Sequence, residues 1–219
     1  MSQALIIAGP TASGKSSAAI SLAQKLGGEI VNADALQIYS ELRILTARPS
    51  IADELLVPHH LYGISKGDDQ WSAGRYARAA AETLREITTC GSLPIVVGGT
   101  GLWLKALTTG LSPIPNISPE ILREAHIRLE KIGLDSFRKE VIAADPEMKR
   151  LTENDRQRHL RAWSVYRQTG CPLSIWQKEP AQKLTDLSFL KIVLMPPREL
   201  SHAQVENRLD LMIDMGAIE

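Results

Sequence analysis

The 219 residues carry 25 Lys+Arg against 25 Asp+Glu, a formal net charge of zero, and 44% are hydrophobic. At roughly 150 residues per domain this length suits one large domain, or one domain with a modest second lobe, and the apolar fraction excludes a disordered, collagen-like or coiled-coil chain. No window approaches the roughly eighteen apolar residues of a membrane span. The two cysteines, Cys90 and Cys171, exclude a disulfide framework and a Cys-type zinc site.

Met1-Ser2-Gln3 lacks a basic signal-peptide start, which predicts a cytoplasmic protein with no membrane partner. Ala4–Ala8 is a short apolar run ended by Gly9-Pro10, as expected of a strand buried on both faces of a parallel sheet. A helix follows over 16–26, with Ala19, Leu22, Ala23 and Leu26 at three- and four-residue spacing and Gly27-Gly28 as its stop. Glu29–Asp34 reads as a second strand with Asp34 at its carboxyl end, completing a βαβ start. Residues 49–62, including His59-His60, read as irregular. The adjacent histidines cannot share a helix face as a metal pair, so they are expected to pack within a loop.

An Ala-rich helix is predicted over 72–88, with Tyr76, Ala80, Leu84 and Ile87 along one side. Leu93–Val97 gives a third buried strand, ended by Gly98-Gly99-Thr100-Gly101 and a helix through Leu107. The proline-punctuated stretch 111–117 marks a boundary. Beyond it, residues 118–183 turn to helix formers with 13 basic against 10 acidic residues, concentrated around Lys149, Arg150, Arg156, Arg158, Arg161 and Arg167. Leu187–Leu194 reads as a fourth strand, and Pro196-Pro197-Arg198 opens a last helix with Val205, Leu209, Met212 and Ile213 on one side. The expected layout is an α/β core over 1–116, an all-helical insertion over 117–183, and a resumed core over 184–219.

Gly9-Pro10-Thr11-Ala12-Ser13-Gly14-Lys15-Ser16 fits GxxxxGK[ST] between a strand and a helix, the context in which that motif forms a phosphate loop. Glycines let backbone N–H groups curl around phosphate oxygens, the helix amino end adds positive potential, Lys15 adds a mobile charge and the Ser16 hydroxyl can ligate Mg2+. The strand at 93–97 ends without the Asp that an ATPase or GTPase normally places there. Ligands of parallel α/β sheets gather at carboxyl strand ends, so Lys15, Asp34 and Thr100 are expected to converge on one crevice. A carboxylate there can serve as a metal ligand, a kinase-type base or a base for another nucleophile; Asp34 can equally be a helix N-cap, and so can Thr100.

The ordered set of motifs resembles the tRNA dimethylallyltransferase (tRNA isopentenyltransferase) family. It comprises residues 9–16, Asn32–Tyr39, Thr46–Pro49, Val57–Leu61, Gly98–Trp103, Asn154–Arg158, Arg161–Tyr166, Thr169–Ser174 and Pro196–Leu200, in collinear order over almost the entire chain. The resemblance implies a P-loop NTPase-like parallel sheet flanked by helices, with an inserted helical lobe that grips tRNA, working as a monomer with Mg2+. It further implies that Gly9 to Ser16 hold the diphosphate of dimethylallyl diphosphate. The group would pass to N6 of the adenosine 3′ to the anticodon. By that likeness Asp34 takes the amine proton, Thr100 bonds near the amine, Lys15 and Arg198 stabilise the leaving diphosphate, and Ser16 binds the metal. The tRNA would be held by Asp34, Ala35, Leu36, Gln37 and Thr100, and in the lobe by Arg123, Gln157, Arg158, His159, Leu160 and Arg161.

Where the family usually has Asp-Ser-Met-Gln this chain has Asp34-Ala35-Leu36-Gln37. Arg48 replaces a lysine and Trp103 a tyrosine. Trp103, Trp163 and Trp176 are expected to pack rather than to stack on bases. Family members typically run past the last helix, so the chain reads as short at Met215–Glu219. A P-loop small-molecule kinase, a prenyltransferase acting on free AMP or ADP, and a phosphate- or RNA-binding module without turnover are the competing readings.

Overall fold

The computed structural model describes residues 3–217; Met1, Ser2, Ile218 and Glu219, on which the readings of the chain's two ends partly fall, lie outside the described residues. Five parallel strands form one sheet in the order β3-β2-β4-β1-β5: β1 (Gln3–Ala8), β2 (Gly28–Asn32), β3 (His59–His60), β4 (Leu93–Gly98) and β5 (Ser188–Val193). Helices α1 (Lys15–Leu26), α2 (Ile51–Leu56), α3 (Ala73–Thr89), α4 (Gly101–Thr108) and α8 (Arg198–Asp214) accompany it. The described residues fall into two compact units, one drawn from Met1–Gly110 with Lys183–Glu219 and one from Leu111–Gln182.

The apolar runs explain the layering. Residues of β1, β2 and β4 alternate between faces, and both faces are covered. Ile6, Val31 and Val96 pack with Tyr76, Ala80, Leu84 of α3 and Trp103, Leu107 of α4. Leu5, Ile7, Ile30, Ile95 and Val97 pack with Ala19 and Ala23 of α1 on the other side. Ring centroids of Tyr76 and Trp103 lie 4.0 Å apart with the planes 14° from parallel, which accounts for the tryptophan as packing, as expected.

Two strands depart from the sequence reading. His59-His60 is a strand and not a loop, paired in register with Ile30 and Val31. Its His60 Nε2 sits 2.7 Å from Glu29 Oε2. Local composition is silent there because the pairing with β2 is what extends the segment. In the second departure, β2 stops at Asn32, two residues before Asp34, because the Asn32 side chain turns the chain into a loop. β5 is an edge strand whose Leu190 is 68% exposed.

The second unit is helical: α5 (Pro119–Ala144), a 3-10 turn (Pro146–Arg150), α6 (Arg156–Thr169) and α7 (Leu173–Lys178). α5 is broken at Gly133, whose φ of 75° and ψ of 163° lie outside the helix region. The break lets Arg128 reach Glu140, twelve positions on and far out of reach along a straight helix. Phe137, Val141, Met148, Leu160 and Val165 form this unit's core, with Trp163 and Trp176 against it.

Candidate active site

The loop Gly9–Ser16 leaves β1 and enters α1, with Gly14 at the N-cap position in the left-handed region at φ 81°. Gly9 is required by close approach: a Cβ there would run into the Leu194 carbonyl just beyond β5, whose amide donates to Ala8 O at 2.8 Å. Lys15 Nζ donates to Pro10 O at 2.5 Å and lies 3.4 Å from Ser13 Oγ. Burial lowers the Lys15 pKa below the ordinary lysine value; Asp34 opposes that shift and the positive charge of Arg208 adds to it.

Asp34 is built into place from below. Its N–H donates to Asn32 Oδ1 at 2.8 Å, while Asn32 Nδ2 donates to Asp34 O and to Leu61 O, both at 3.0 Å. Asn32 itself is fully buried. The Asp34 carboxylate accepts from Leu36 N–H at 3.0 Å. No helix starts there, so the helix-cap alternative becomes a short side-chain turn that leaves the second carboxylate oxygen open. A Cβ at Gly98 would fall inside the Ala33 carbonyl group. Only glycine therefore lets β4 run close enough for Ala33 N–H to reach Val97 O at 2.7 Å.

Thr100 sits at the N-cap position of α4, yet its hydroxyl does not cap that helix. It instead accepts from Ala35 N–H at 2.9 Å, and its N–H donates to Ala33 O at 3.2 Å. The threonine thus ties β4 to the segment carrying Asp34, and Lys15 lies within the field of that carboxylate, so the three residues gather at the carboxyl ends of adjacent strands. Tyr62 lies beside them; burial raises its phenol pKa, with the negative charges of Asp34 and Glu54 contributing in the same direction. Gln37 Nε2 donates to Thr46 O at 2.8 Å and to Ala47 O at 3.2 Å, bracing the loop beside Asp34. Ala35 is half-buried and Leu36 exposed.

Ser16 is exposed in the first turn of α1, and its hydroxyl makes no hydrogen bond among the described residues. Among those residues no group of three His, Cys, Asp or Glu side chains could cage a metal. A cation here would be held by one hydroxyl, substrate oxygens and water, an arrangement Mg2+ commonly takes with phosphates.

The lobe residues divide. Gln157, Arg158 and Arg161 are exposed on α6, and Arg123 is exposed on α5. Arg158 pairs with the Asp155 N-cap, and Arg123 with Glu120 at 3.4 Å. His159 and Leu160 do not belong to that surface. His159 is fully buried with Nε2 at 3.2 Å from Thr152 O, and Leu160 is 5% exposed in the lobe core. The helical period that exposes 157, 158 and 161 turns these two inward. Arg198 is exposed at the start of α8, with His202 Nε2 at 3.5 Å as its nearest polar partner.

Asn32 and Arg208 were not singled out from the sequence. Asn32 is legible in hindsight as a polar residue ending an otherwise apolar strand. Replacing it with Ala leaves three backbone groups without partners, at roughly 1–3 kcal/mol for each that stays buried. Asn32→Ala is therefore expected to lower the urea midpoint and to cost activity through displacement of Asp34. An unchanged midpoint with unchanged turnover would contradict this account of how Asp34 is held.

A Gly-rich loop of the pattern GxxxxGK[ST] between the first strand and first helix of a parallel sheet, with polar residues gathered at the strand ends, places the chain among α/β proteins of P-loop type by motif and topology. The family model for IPP transferase matches residues 37–219, and that for isopentenyl transferase matches residues 2–67. The tRNA dimethylallyltransferase of Parvibaculum lavamentivorans is 49% identical over 219 residues, covering 99% of this chain and 69% of the relative. That of Bradyrhizobium sp. strain BTAi1 is 43% identical over 221 residues, covering 100% and 72%. A crystal structure of a eukaryotic dimethylallyltransferase acting on tRNA superposes with a TM-score of 0.83 at 26% identity, covering 100% of this chain but 54% of that one. The full-length tRNA isopentenylpyrophosphate transferase of Bacillus halodurans gives 0.64 at 26% identity, covering 99% and 67%. The chain belongs to the IPP transferase family, with tRNA dimethylallyltransferases as its curated relatives.

Proposed function

We propose that this protein transfers the dimethylallyl group of dimethylallyl diphosphate to N6 of the adenosine 3′ to the anticodon of tRNA, releasing diphosphate. The observation that carries the reading is the placement of Asp34. It is a half-buried carboxylate held by Asn32 next to Lys15, while β4, where a nucleotide hydrolase would carry its metal-binding Asp, ends in Gly98-Gly99-Thr100. The relatives' names agree with that chemistry.

The N6 amine attacks C1 of the dimethylallyl group, the C1–O bond to diphosphate breaks, and the amine proton passes to the open oxygen of Asp34. An exocyclic amine is a weak nucleophile, so a positioned base assists it, and diphosphate leaves more readily when its charge is neutralised. Lys15 and the N–H groups of Gly9–Ser16 supply that neutralisation. Thr100, already accepting from Ala35, keeps its own O–H to donate beside the amine. Mg2+ on Ser16 would add charge to the diphosphate oxygens when bound.

In the lobe, Gln157, Arg158 and Arg161 form the exposed face we assign to RNA phosphates and bases, with Arg123 as a further phosphate contact. The adenosine must leave the loop stack to react, as unstacked bases do for other base-modifying enzymes. Replacing Arg158 and Arg161 with Gln is expected to weaken tRNA binding and to flatten the slope of log K against log salt by about 1.4, at roughly 0.7 for each of the two lost single-strand phosphate contacts. An unchanged slope would remove these two residues from the phosphate contacts.

The function as a whole is tested by incubating the protein with dimethylallyl diphosphate labelled in the prenyl group and either tRNA or AMP, with ATP and small acceptors in parallel. Label on tRNA is the expected result. Label on AMP alone, or phosphoryl transfer from ATP without prenylation, would replace it with one of the competing readings.

A further inference from the structure

Resting on the reading that tRNA is the acceptor, we propose that Arg48 is an RNA-binding residue, its guanidinium taking a backbone phosphate next to the nucleotide that presents its base to Asp34. The side chain of Arg48 is 10% exposed, and its nearest carboxylate is that of Glu54, with Nε 3.9 Å from Oε1. Nε is shut off from solvent without a hydrogen-bond partner, and neither Nη1 nor Nη2 donates a hydrogen bond among the described residues. Five N–H donors and a full charge are therefore held almost inside the protein with no acceptor.

The chain winds Arg48 into this place. Thr46 N–H donates to Leu42 O at 3.1 Å, Ala47 N–H to Ile44 O at 2.9 Å and Arg48 N–H to Arg43 O at 3.0 Å. Ala47 turns through φ 46°, a left-handed conformation that a non-glycine residue keeps only when its surroundings hold it. Arg43 takes the acceptors of the neighbourhood: its Nη1 donates to Pro49 O at 2.5 Å, and its Nη2 reaches both carboxylate oxygens of Glu54, at 3.1 and 3.3 Å. Arg48 is left to lie against Gly63, where a Cβ would fall 1.6 Å from Nη1. Gly63 N–H in turn donates to Gln37 O at 3.0 Å, three residues on from Asp34, so the free guanidinium borders the loop that carries Asp34.

A buried charge without a bonded partner is costly, and an arginine, unlike a lysine, does not escape by giving up its proton. Arg43 and Arg48 share the single carboxylate of Glu54, which leaves one surplus positive charge and calls for a singly charged anion. Burial and the charge of Arg43 lower the Arg48 pKa with Glu54 opposing, whereas burial, then Asp34 and Arg208, set that of Lys15. The two cationic groups are thus electrostatically distinct, and the anion suited to Arg48 is not the ligand of the phosphate loop. Tyr62 links them, its phenol feeling the negative charges of both Asp34 and Glu54. A phosphodiester carries one negative charge, its paired oxygens match the guanidinium fork, and the phosphates flanking a nucleotide that leaves the stack accompany its base toward the reacting carboxylate.

The test measures the affinity of a labelled anticodon stem-loop RNA for the wild-type protein and Arg48→Gln over a range of salt. It repeats the measurement with stem-loops carrying one neutral methylphosphonate linkage at a time around the target adenosine. Arg48→Gln is expected to weaken RNA binding about tenfold, as loss of a charge-assisted bond would, and to flatten the slope of log K against log salt by about 0.7. One neutral linkage beside the adenosine weakens binding to the wild type by a similar factor and leaves binding to Arg48→Gln unchanged. Circular dichroism distinguishes these effects from unfolding. Should Arg48→Gln not fold, Arg48→Lys carries the test, since it keeps the charge but not the fork, and the same neutral linkage is expected to matter several-fold less to it than to the wild type. Affinity and slope unchanged in Arg48→Gln, equal sensitivity of wild type and variant to every neutral linkage, or a loss confined to the affinity for inorganic diphosphate overturns the proposal. Failure of the wild type itself to bind the stem-loop would instead sink the reading of tRNA as the acceptor.

Discussion

Asp34→Ala is expected to reduce prenyl transfer by about 10²–10⁴-fold, the usual contribution of a positioned general base, while leaving diphosphate binding largely intact. The separation follows from the geometry. Asp34 is held by Asn32 and turned toward Leu36 N–H, whereas the diphosphate's bonds come from the Gly9–Ser16 loop and Lys15. Removing a negative charge beside Lys15 can only favour an anion there. Asp34→Asn is the sharper form, since its amide oxygen still accepts from Leu36 and the turn survives, yet it cannot take a proton at neutral pH. Single-turnover transfer and calorimetric titration of diphosphate read the two effects separately. Near-normal turnover in the Asn variant would remove Asp34 as the base.

Lys15→Ala is expected to weaken donor binding by about 10²-fold or more and to slow transfer as well, because its charge serves both the bound diphosphate and the developing leaving group. The pH dependence carries the sign. The ammonium binds the anion and the free amine does not, so affinity is full below the Lys15 pKa and falls as pH rises through it. Burial places that pKa below the ordinary lysine value, with Asp34 opposing and Arg208 adding, so the decline begins at lower pH than a solvated lysine would give. The same shift means that the charged form is disfavoured in the folded protein, and stability accordingly rises as pH passes up through the folded pKa. In Lys15→Ala the alkaline decline attributable to this residue should vanish. A decline of the same shape in the variant would assign it to another group.

The sheet was readable because β1, β2 and β4 are buried on both faces and therefore appear as unbroken apolar runs, and because glycines mark their ends. The nearness of Lys15, Asp34 and Thr100 was readable for a related reason: adjacent parallel strands deliver their carboxyl ends to one edge of the sheet. What stayed hidden depends on partners distant in sequence. His59-His60 is a strand through its pairing with Ile30 and Val31, and Arg208 meets Thr46 only after folding. The roles of Thr100 and Asp34 within their own turns also needed coordinates, since a threonine before a helix ordinarily caps it, whereas this one bonds Ala35.

The helical lobe shows a different limit. The family resemblance gives the basic run along 149–167 an RNA role, and it carries His159 and Leu160 with their neighbours onto that surface. With Ala162 and Val165 they follow the helical repeat into the core, so the exposed face is narrower than the motif. Residue spacing along α6 held that information, and charge concealed it.

The most direct measurement of the central claim is mass spectrometry of the nucleosides of tRNA treated with dimethylallyl diphosphate and either the wild-type protein or Asp34→Asn. The account predicts N6-dimethylallyladenosine at the position 3′ to the anticodon with the wild type, and its near absence with Asp34→Asn at matched diphosphate binding. Equal yields from the two proteins, or a prenyl group on any atom other than that N6, would contradict it.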